Sequence, residues 1–363
     1  MTDPITLSRN RTSNDWDGSE RISEEPDLVG LSYRTLHRRQ VADSTQHLDC
    51  SSPISHLPDE LLLNVFILAL ATSSHKVYMT YIASLQLTSK RWNKIFLEAP
   101  SLWARTSSVY SDRERRVAIL RSKECSLWVD YNDHDFDNDE DRTTFINYAI
   151  QKAYRGQLVE FVVSRTNTFA LLCNFVSLSV PRLEGLTIQC HNLEDGPAEE
   201  GSIDLFGGTA HRLRHANLTG FPIIWSSQIL SRLETLKIIE TDVWLRDTSS
   251  NDIIDVLRRC PELHSFELNC PNRTFRVSGV IPETEAAHLP LLTSFDLVLG
   301  DAEVLSRIIA SVRIPACTKL YLACDDPTSN IFSHHIMTIL SSAIRPLAKI
   351  ELWLSISYLV LSG

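Results

Sequence analysis

The chain lacks the short signatures that mark most site chemistries. Its eight cysteines, at 50, 125, 173, 190, 260, 270, 317 and 324, form no C-x-x-C pair and have no histidine cluster at zinc spacing beside them. They are read as reduced, mostly buried thiols. The glycine pair in "FGGTAH" from Phe206 has neither the Lys-Ser/Thr of a phosphate loop nor the spacing of a dinucleotide fingerprint. No G-x-S-x-G elbow and no H-E-x-x-H pair occurs. His334 and His335 are adjacent on a predicted helix, where neighbours point to different sides. The expectation is therefore no catalytic residue, no metal and no cofactor.

Long apolar runs are missing as well. Leu61 to Ala71 and Ile350 to Leu361 fall short of a membrane span, and "MTDPITLSRNRTSNDWDGSE" has no apolar core of a secretory signal. The chain is read as intracellular, cytoplasmic or nuclear, so the sequons at Asn10, Asn217 and Asn272 carry no weight. Positive charge is in deficit, with a formal net charge of -10 over 363 residues. That argues against nucleic acid or a membrane surface as partner, since phosphates select basic faces. The basic run "RTLHRRQ" from Arg34 lies in a polar stretch and reads as solvated tail rather than an import signal. The acidic run Asp133 to Asp141 fails as a calcium loop, because Asn138 and Thr144 stand where Gly and Glu are needed. It reads as a solvated acidic loop.

What the chain does contain falls into segments. Residues 1–52 are polar and read as a disordered tail, residues 53–104 are compact and apolar, residues 105–124 form a linker helix, and residues 125–363 form a repeat array. In "PISHLPDELLLNVFILAL", Pro58, Asp59 and Glu60 suit a helix start. The helix then runs to about Ala71, and only Asn64 is polar between Leu61 and Leu70. A helix apolar on all sides must be covered on all sides. After the polar break "TSSHKV", a second helix is expected from about Met79 to Leu87 and a third from about Ser89 to Leu97, with Pro100 as a stop. "SDRERRVAILRSK" from Ser111 reads as the linker helix, its basic residues on a solvated face.

The order "ISHLPDELLLNVF", "ASLQLTSKRWNKI", "APSLW" resembles the F-box, a three-helix module. Leu57-Pro58, the Leu61/Leu62/Phe66 set, Arg91-Trp92 and Leu102-Trp103 carry the likeness in order. Thr88 departs from it, standing where many F-boxes have Cys, as does the longer break between the first two helices. The resemblance implies docking onto a Skp-type adaptor, and through it a cullin scaffold, by Leu57, Pro58, Leu61, Leu62, Phe66, Leu85 and Trp92. It also implies a non-catalytic substrate-recognition subunit of an SCF-type ubiquitin ligase, acting by tethering an unidentified protein substrate near the transfer centre. The alternative is an interaction scaffold with no part in ubiquitination.

Beyond residue 125 a pattern of apolar residues at positions 1, 4 and 6 recurs from Leu158, Leu183, Leu213, Leu233, Leu263, Leu292, Cys317 and Leu347. "CSLWVDYND" from Cys125 reads as a degenerate first strand. Helical stretches such as "NDIIDVLRRCPEL", "AEVLSRIIASVRIP" and "SHHIMTILSSAIRP" lie between, several ending near a proline, as at 181, 261, 290, 315 and 346. A period of twenty to thirty residues with one strand and one helix predicts an α/β fold, an irregular leucine-rich-repeat solenoid with parallel strands and outer helices. Alternation then places Cys190, Cys270 and Cys324 inward and positions 5 and 7 outward. Lys237, Glu267, Asp296, Tyr321 and Trp353 are the substrate-binding candidates on that outward face. The chain ends in "ELWLSISYLVLSG" without the polar cap a terminal repeat needs, which leaves a longer chain or a frayed end open.

Overall fold

The computed structural model describes residues 53–191, 204–239, 249–271, 275, 286–324 and 351–355. The tail at 1–52 and the helix expected in "SHHIMTILSSAIRP" lie outside the described residues.

Three helices come first: α1 (Asp59–Ala71), α2 (His75–Thr88) and α3 (Lys90–Glu98). Pro58 sits at the N-cap of α1, as its missing N–H allows. Helix α2 begins four residues before the expected Met79, because packing extends it: Tyr78 and Met79 are buried, and the Tyr78 hydroxyl donates to the Leu102 carbonyl at 2.9 Å. At the start of α3 the Ser89 hydroxyl accepts from the Trp92 amide at 3.1 Å. A 3-10 turn at Pro100–Trp103 follows, and the buried Trp103 indole donates to the Phe96 carbonyl at 2.7 Å. Leu62, Phe66, Leu70, Ile82, Phe96 and Trp103 make one core, in which the Phe66 ring stands 4.8 Å from both Trp92 and Phe96.

The segment expected to be a linker already holds the first strand. Strand β1 (Arg105–Ser107) pairs in parallel with β2 (Leu127–Asn132), and α4 (Asp112–Ser122) makes the crossover between them. Helix α4 starts on a reciprocal cap, the Ser111 side chain on the Glu114 amide and the Glu114 carboxylate on the Ser111 amide. One of its basic residues is not solvated: Arg115 is buried and donates to the Tyr110 carbonyl at 2.6 Å.

The strands continue as β3 (Gly156–Val163), β4 (Gly185–Cys190), β5 (His215–Thr219), β6 (Thr235–Ile239) and β7 (Ser265–Cys270). After them come β8 (Ala287–His288), β9 (Ser294–Leu299), β10 (Val312–Arg313), β11 (Lys319–Cys324) and β12 (Glu351–Ser355). Ten of these form one sheet in the order β1-β2-β3-β4-β5-β6-β7-β9-β11-β12, every pairing parallel. Each strand therefore adds to the edge its predecessor left open. The short strands β8 and β10 pair separately. Helices α5 (Asp139–Gln151), α6 (Thr166–Val176), α7 (Ser250–Arg259) and α8 (Ala302–Ala310) make crossovers, whereas residues 220–234 cross from β5 to β6 without a helix.

Alternation holds through the sheet. Leu186, Ile188 and Cys190 are buried while Thr187 and Gln189 are half-buried, and Phe266, Leu268, Cys270 against Glu267 and Asn269 repeat the pattern. Equivalent inward residues stack on neighbouring strands, as Phe266 and Phe295 do in register at 5.5 Å. The prolines act differently from the helix stops expected of them. Pro181, Pro261, Pro290 and Pro315 occupy the second position of a tight turn closed by Leu183 on Val180, Leu263 on Cys260, Leu292 on Leu289 and Cys317 on Ile314. That position accepts the fixed φ of proline, and each turn delivers a buried residue into the start of the next repeat.

The acidic run is only partly solvated. Asp133 is fully buried, accepting from the Tyr131 hydroxyl at 2.5 Å and the Ser164 and Arg165 amides at 2.6 and 3.1 Å, with the Arg142 guanidinium 3.4 Å away. These donors tie the end of β2 to the end of β3, and remote partners of this kind leave no local signal.

Candidate functional site

Helix α1 divides its apolar surface between core and solvent. Leu62, Phe66 and Leu70 are buried against α3, at 0%, 2% and 2% exposure. Of the residues named as docking candidates, Leu62 and Phe66 are therefore core and act on any outer surface only through the helix they position. Pro58 is exposed, Leu57, Leu85 and Trp92 are half-buried, and Leu61 is 51% exposed. Val65 at 42% and Leu68 at 71% continue the line of Leu61 along α1. These two were missed because the whole helix is apolar, so periodicity could not tell its inner face from its outer one. Arg91 fixes the entry to α1: it donates to the Ser55 carbonyl at 2.7 Å and to the Leu57 carbonyl, and pairs with Asp59 at 2.6 Å.

The three helices are joined to the sheet at Arg105. Its guanidinium lies 3.8 Å from the Trp128 ring centre and 4.5 Å from that of Tyr78, and donates to the Leu70 and Ser73 carbonyls at 3.2 and 3.4 Å. A cation at the carboxyl end of α1 is also favoured by the helix dipole. His75 stands edge-on to Trp128 at 4.9 Å and 3.8 Å from Asp130. Burial holds its imidazole below the usual range against the pull of Asp130, and burial pushes the Tyr78 hydroxyl up to about 12.

One register row crosses all ten strands, Ser107, Asp130, Glu160, Thr187, Asn217, Lys237, Glu267, Asp296, Tyr321 and Trp353, and from Asp130 to Tyr321 its members are half-buried on the outward face, whereas Ser107 is buried. The five candidates named from the sequence are the contiguous end of this row. Ser107 fell in the stretch read as a linker and Asp130 in the degenerate first strand, whereas Glu160 was missed for a definable reason. In the repeat from Leu158 the apolar pattern is offset by two residues, since Leu158 pairs with Gly185 and not with Leu183. The clue was present in the alternation of Val159, Phe161 and Val163 about Glu160. The last strand is offset too, so that Trp353 and not Glu351 stands beside Tyr321.

Within the row, Lys237 and Glu267 form an ion pair at 2.8 Å. Asp296, next to Glu267, has its carboxyl pushed up to about 6 by burial and by the Glu267 charge, against the opposing effect of Lys237. Burial and the neighbouring Asp130 charge likewise push Glu160 up. Asp130 itself accepts from the Ser107 hydroxyl at 2.5 Å. Beside the row is a depression of about 430 Å³ lined by Trp128, Leu158, Glu160, Gly185, Thr187, His215 and Asn217 among others. At Gly185, on its floor, the absent side chain lets Leu158 lean in, and a Cβ there would meet Leu158 Cδ2 at 2.7 Å.

Among the described residues no group of His, Cys, Asp or Glu is placed to hold a metal, and no helix is long and apolar enough to cross a membrane. Cys190, Cys260, Cys270, Cys317 and Cys324 are buried. Compared with known families, residues 54–107 match the family described as F-box-like, a match that runs from the turn before α1 to the end of β1. No curated protein matches the chain. The N-terminal helices are thus an F-box-like domain, a kind of module that binds Skp-type adaptors and is typically non-catalytic.

Proposed function

We propose that the chain is the substrate-recognition subunit of an SCF-type ubiquitin ligase, working in the cytoplasm or nucleus. The F-box-like domain holds the Skp-type adaptor and through it the cullin scaffold. The sheet, read as an irregular leucine-rich-repeat solenoid, presents a protein substrate on its outward row. The chain contributes no nucleophile. It acts by raising the effective concentration of a substrate lysine near a ubiquitin-loaded enzyme carried elsewhere in the complex.

The observation that carries this reading is the exposed line of Leu61, Val65 and Leu68 on the very helix that falls within the F-box-like match. Three large apolar side chains in a line on one short helix are what a docking helix offers a partner. The half-buried Leu57, just before α1, supports the same use.

Capture of a purified Skp-type adaptor by the full chain tests the proposal. Leu61→Glu with Leu68→Glu should reduce adaptor binding at least 100-fold, as removal of central apolar anchors does, and leave thermal unfolding in place. Absence of adaptor binding by the unaltered chain overturns the proposal. Phe66→Ala is not an informative probe, since it opens a cavity in the core.

A further inference from the structure

The outward row carries its charge in an uneven pattern. At one end Asp130 and Glu160 are neighbours, at the other Glu267 and Asp296 are neighbours, and Lys237 is the single cation among them. Asp130 is engaged by Ser107, and Glu267 by Lys237. Glu160 and Asp296 have no hydrogen-bonded or ion-paired donor among the described residues, although both are half-buried. Asp296 Oδ1 and Asn217 Oδ1 are shielded acceptors without a donor. Within the row, acceptors stand without donors, and Lys237 is the one cation among its members.

Resting on the reading of the sheet as the substrate-binding part, we propose that its outward row binds an extended, basic protein segment running across the strands, with one cationic side chain on Glu160 and a second on Asp296. Five strand spacings separate these two carboxylates, from β3 through β4, β5, β6 and β7 to β9. At about 4.8 Å each they lie about 24 Å apart along the row, the reach of about seven extended residues. Arginine suits the Asp296 end better than lysine, because Tyr321 stands beside Asp296 in register and a guanidinium can pair with the carboxylate while lying on the ring. Between the two ends the segment passes the depression over Gly185, which accepts a small apolar side chain against Leu158 and Trp128. Titration is consistent with this use. A cation on Asp296 draws its carboxyl back down against Glu267, so the segment binds with release of a proton near pH 6.

Fluorescein-labelled synthetic peptides, each with two arginines in a Gly-Ser-Thr background at separations from two to ten residues, are titrated onto the full chain and followed by anisotropy. Matched peptides carry glutamine or glutamate in place of arginine. The expected result is binding that needs the arginines and peaks when they stand about seven residues apart. Glu160→Gln with Asp296→Asn should weaken it at least tenfold, and salt should weaken it in the unaltered protein. Equal binding of the glutamine peptides, absence of any dependence on spacing, or no binding at all overturns the proposal. Should the double variant fail to fold, the salt and spacing dependence of the unaltered chain decide. Adaptor capture on the same preparation separates the two readings: adaptor bound without peptide binding removes this inference alone, and peptide bound without adaptor removes the ligase reading alone.

Discussion

At the scale of single residues, Asp296 and Asp133 show opposite treatments of a shielded carboxylate. Asp133 is given a hydroxyl, two amides and a guanidinium, and serves the fold. Asp296 is given a like charge on one side and no donor, with Tyr321 on the other side and Lys237 committed to Glu267. A carboxyl whose folded pKa is raised to about 6 holds its proton more tightly folded than unfolded. The stability this confers is present below the unfolded value near 4 and disappears as the pH rises through 6. Asp296→Asn removes the unfavourable charge, so the variant should be more stable than the parent at pH 7.5, by on the order of 1 kcal/mol once solvent screening of a partly exposed group is allowed for. Urea unfolding at pH 4.5 and 7.5 measures this. A difference between variant and parent that is the same at both pH values would refute the assignment. The same substitution should weaken arginine peptides, and a residue that lowers stability while aiding a ligand is common where a surface is shaped for binding.

At the scale of elements, the repeated turn before β4, β7, β9 and β11 has a sequence signal that periodicity alone passes over. In "VPRL", "CPEL", "LPLL" and "IPAC" the proline comes second and a buried residue fourth, and each closes the same backbone hydrogen bond. Proline there restricts the unfolded chain more than the folded one, so Pro261→Ala should lower stability by about 0.5–1 kcal/mol without changing the fold. Denaturant midpoints with an unchanged slope check it. A loss of several kcal/mol would mean that the turn is held by something other than proline's fixed φ. The legible and illegible parts of the chain divide along this line. Helices α1 and α3 and most of the sheet could be read from sequence, because their signals are local periods of 3.6 and 2. The inner face of α1, the offset of β3 and the burial of Arg115 and Asp133 could not, because each is decided by partners distant in the chain. From Thr187 onward the row was thus visible in the sequence, and of the three members next to the F-box-like domain Glu160 was hidden by the offset at Leu158.

At the scale of the whole molecule, a sheet in which every strand touches only its neighbours is close to one-dimensional, and its ends are held by a single interface each. The described first end is β1, and β1 also belongs to the F-box-like match. Arg105 is central to the joint between the two parts, since it binds the end of α1 and lies on Tyr78 of α2 and Trp128 of β2, beside the contact of His75 with Trp128 and of Arg121 with Trp103. A receptor that works by placing a lysine near a transfer centre gains from such a fixed joint, because effective concentration falls when the linkage loosens. Arg105→Ala takes the guanidinium donor from the Ser73 carbonyl and from the Leu70 carbonyl, which keeps the Ser73 amide, and leaves a gap between two aromatic rings, a loss of about 3 kcal/mol at the joint. The parent should unfold in calorimetry as one transition, and the variant as two, with the helices α1 to α3 melting first. Adaptor binding should survive in the variant, because Leu61, Val65 and Leu68 are untouched. Ubiquitin transfer to a bound substrate should fall while substrate affinity stays the same. One cooperative transition in the variant, shifted by less than a degree, would show that the joint is held elsewhere.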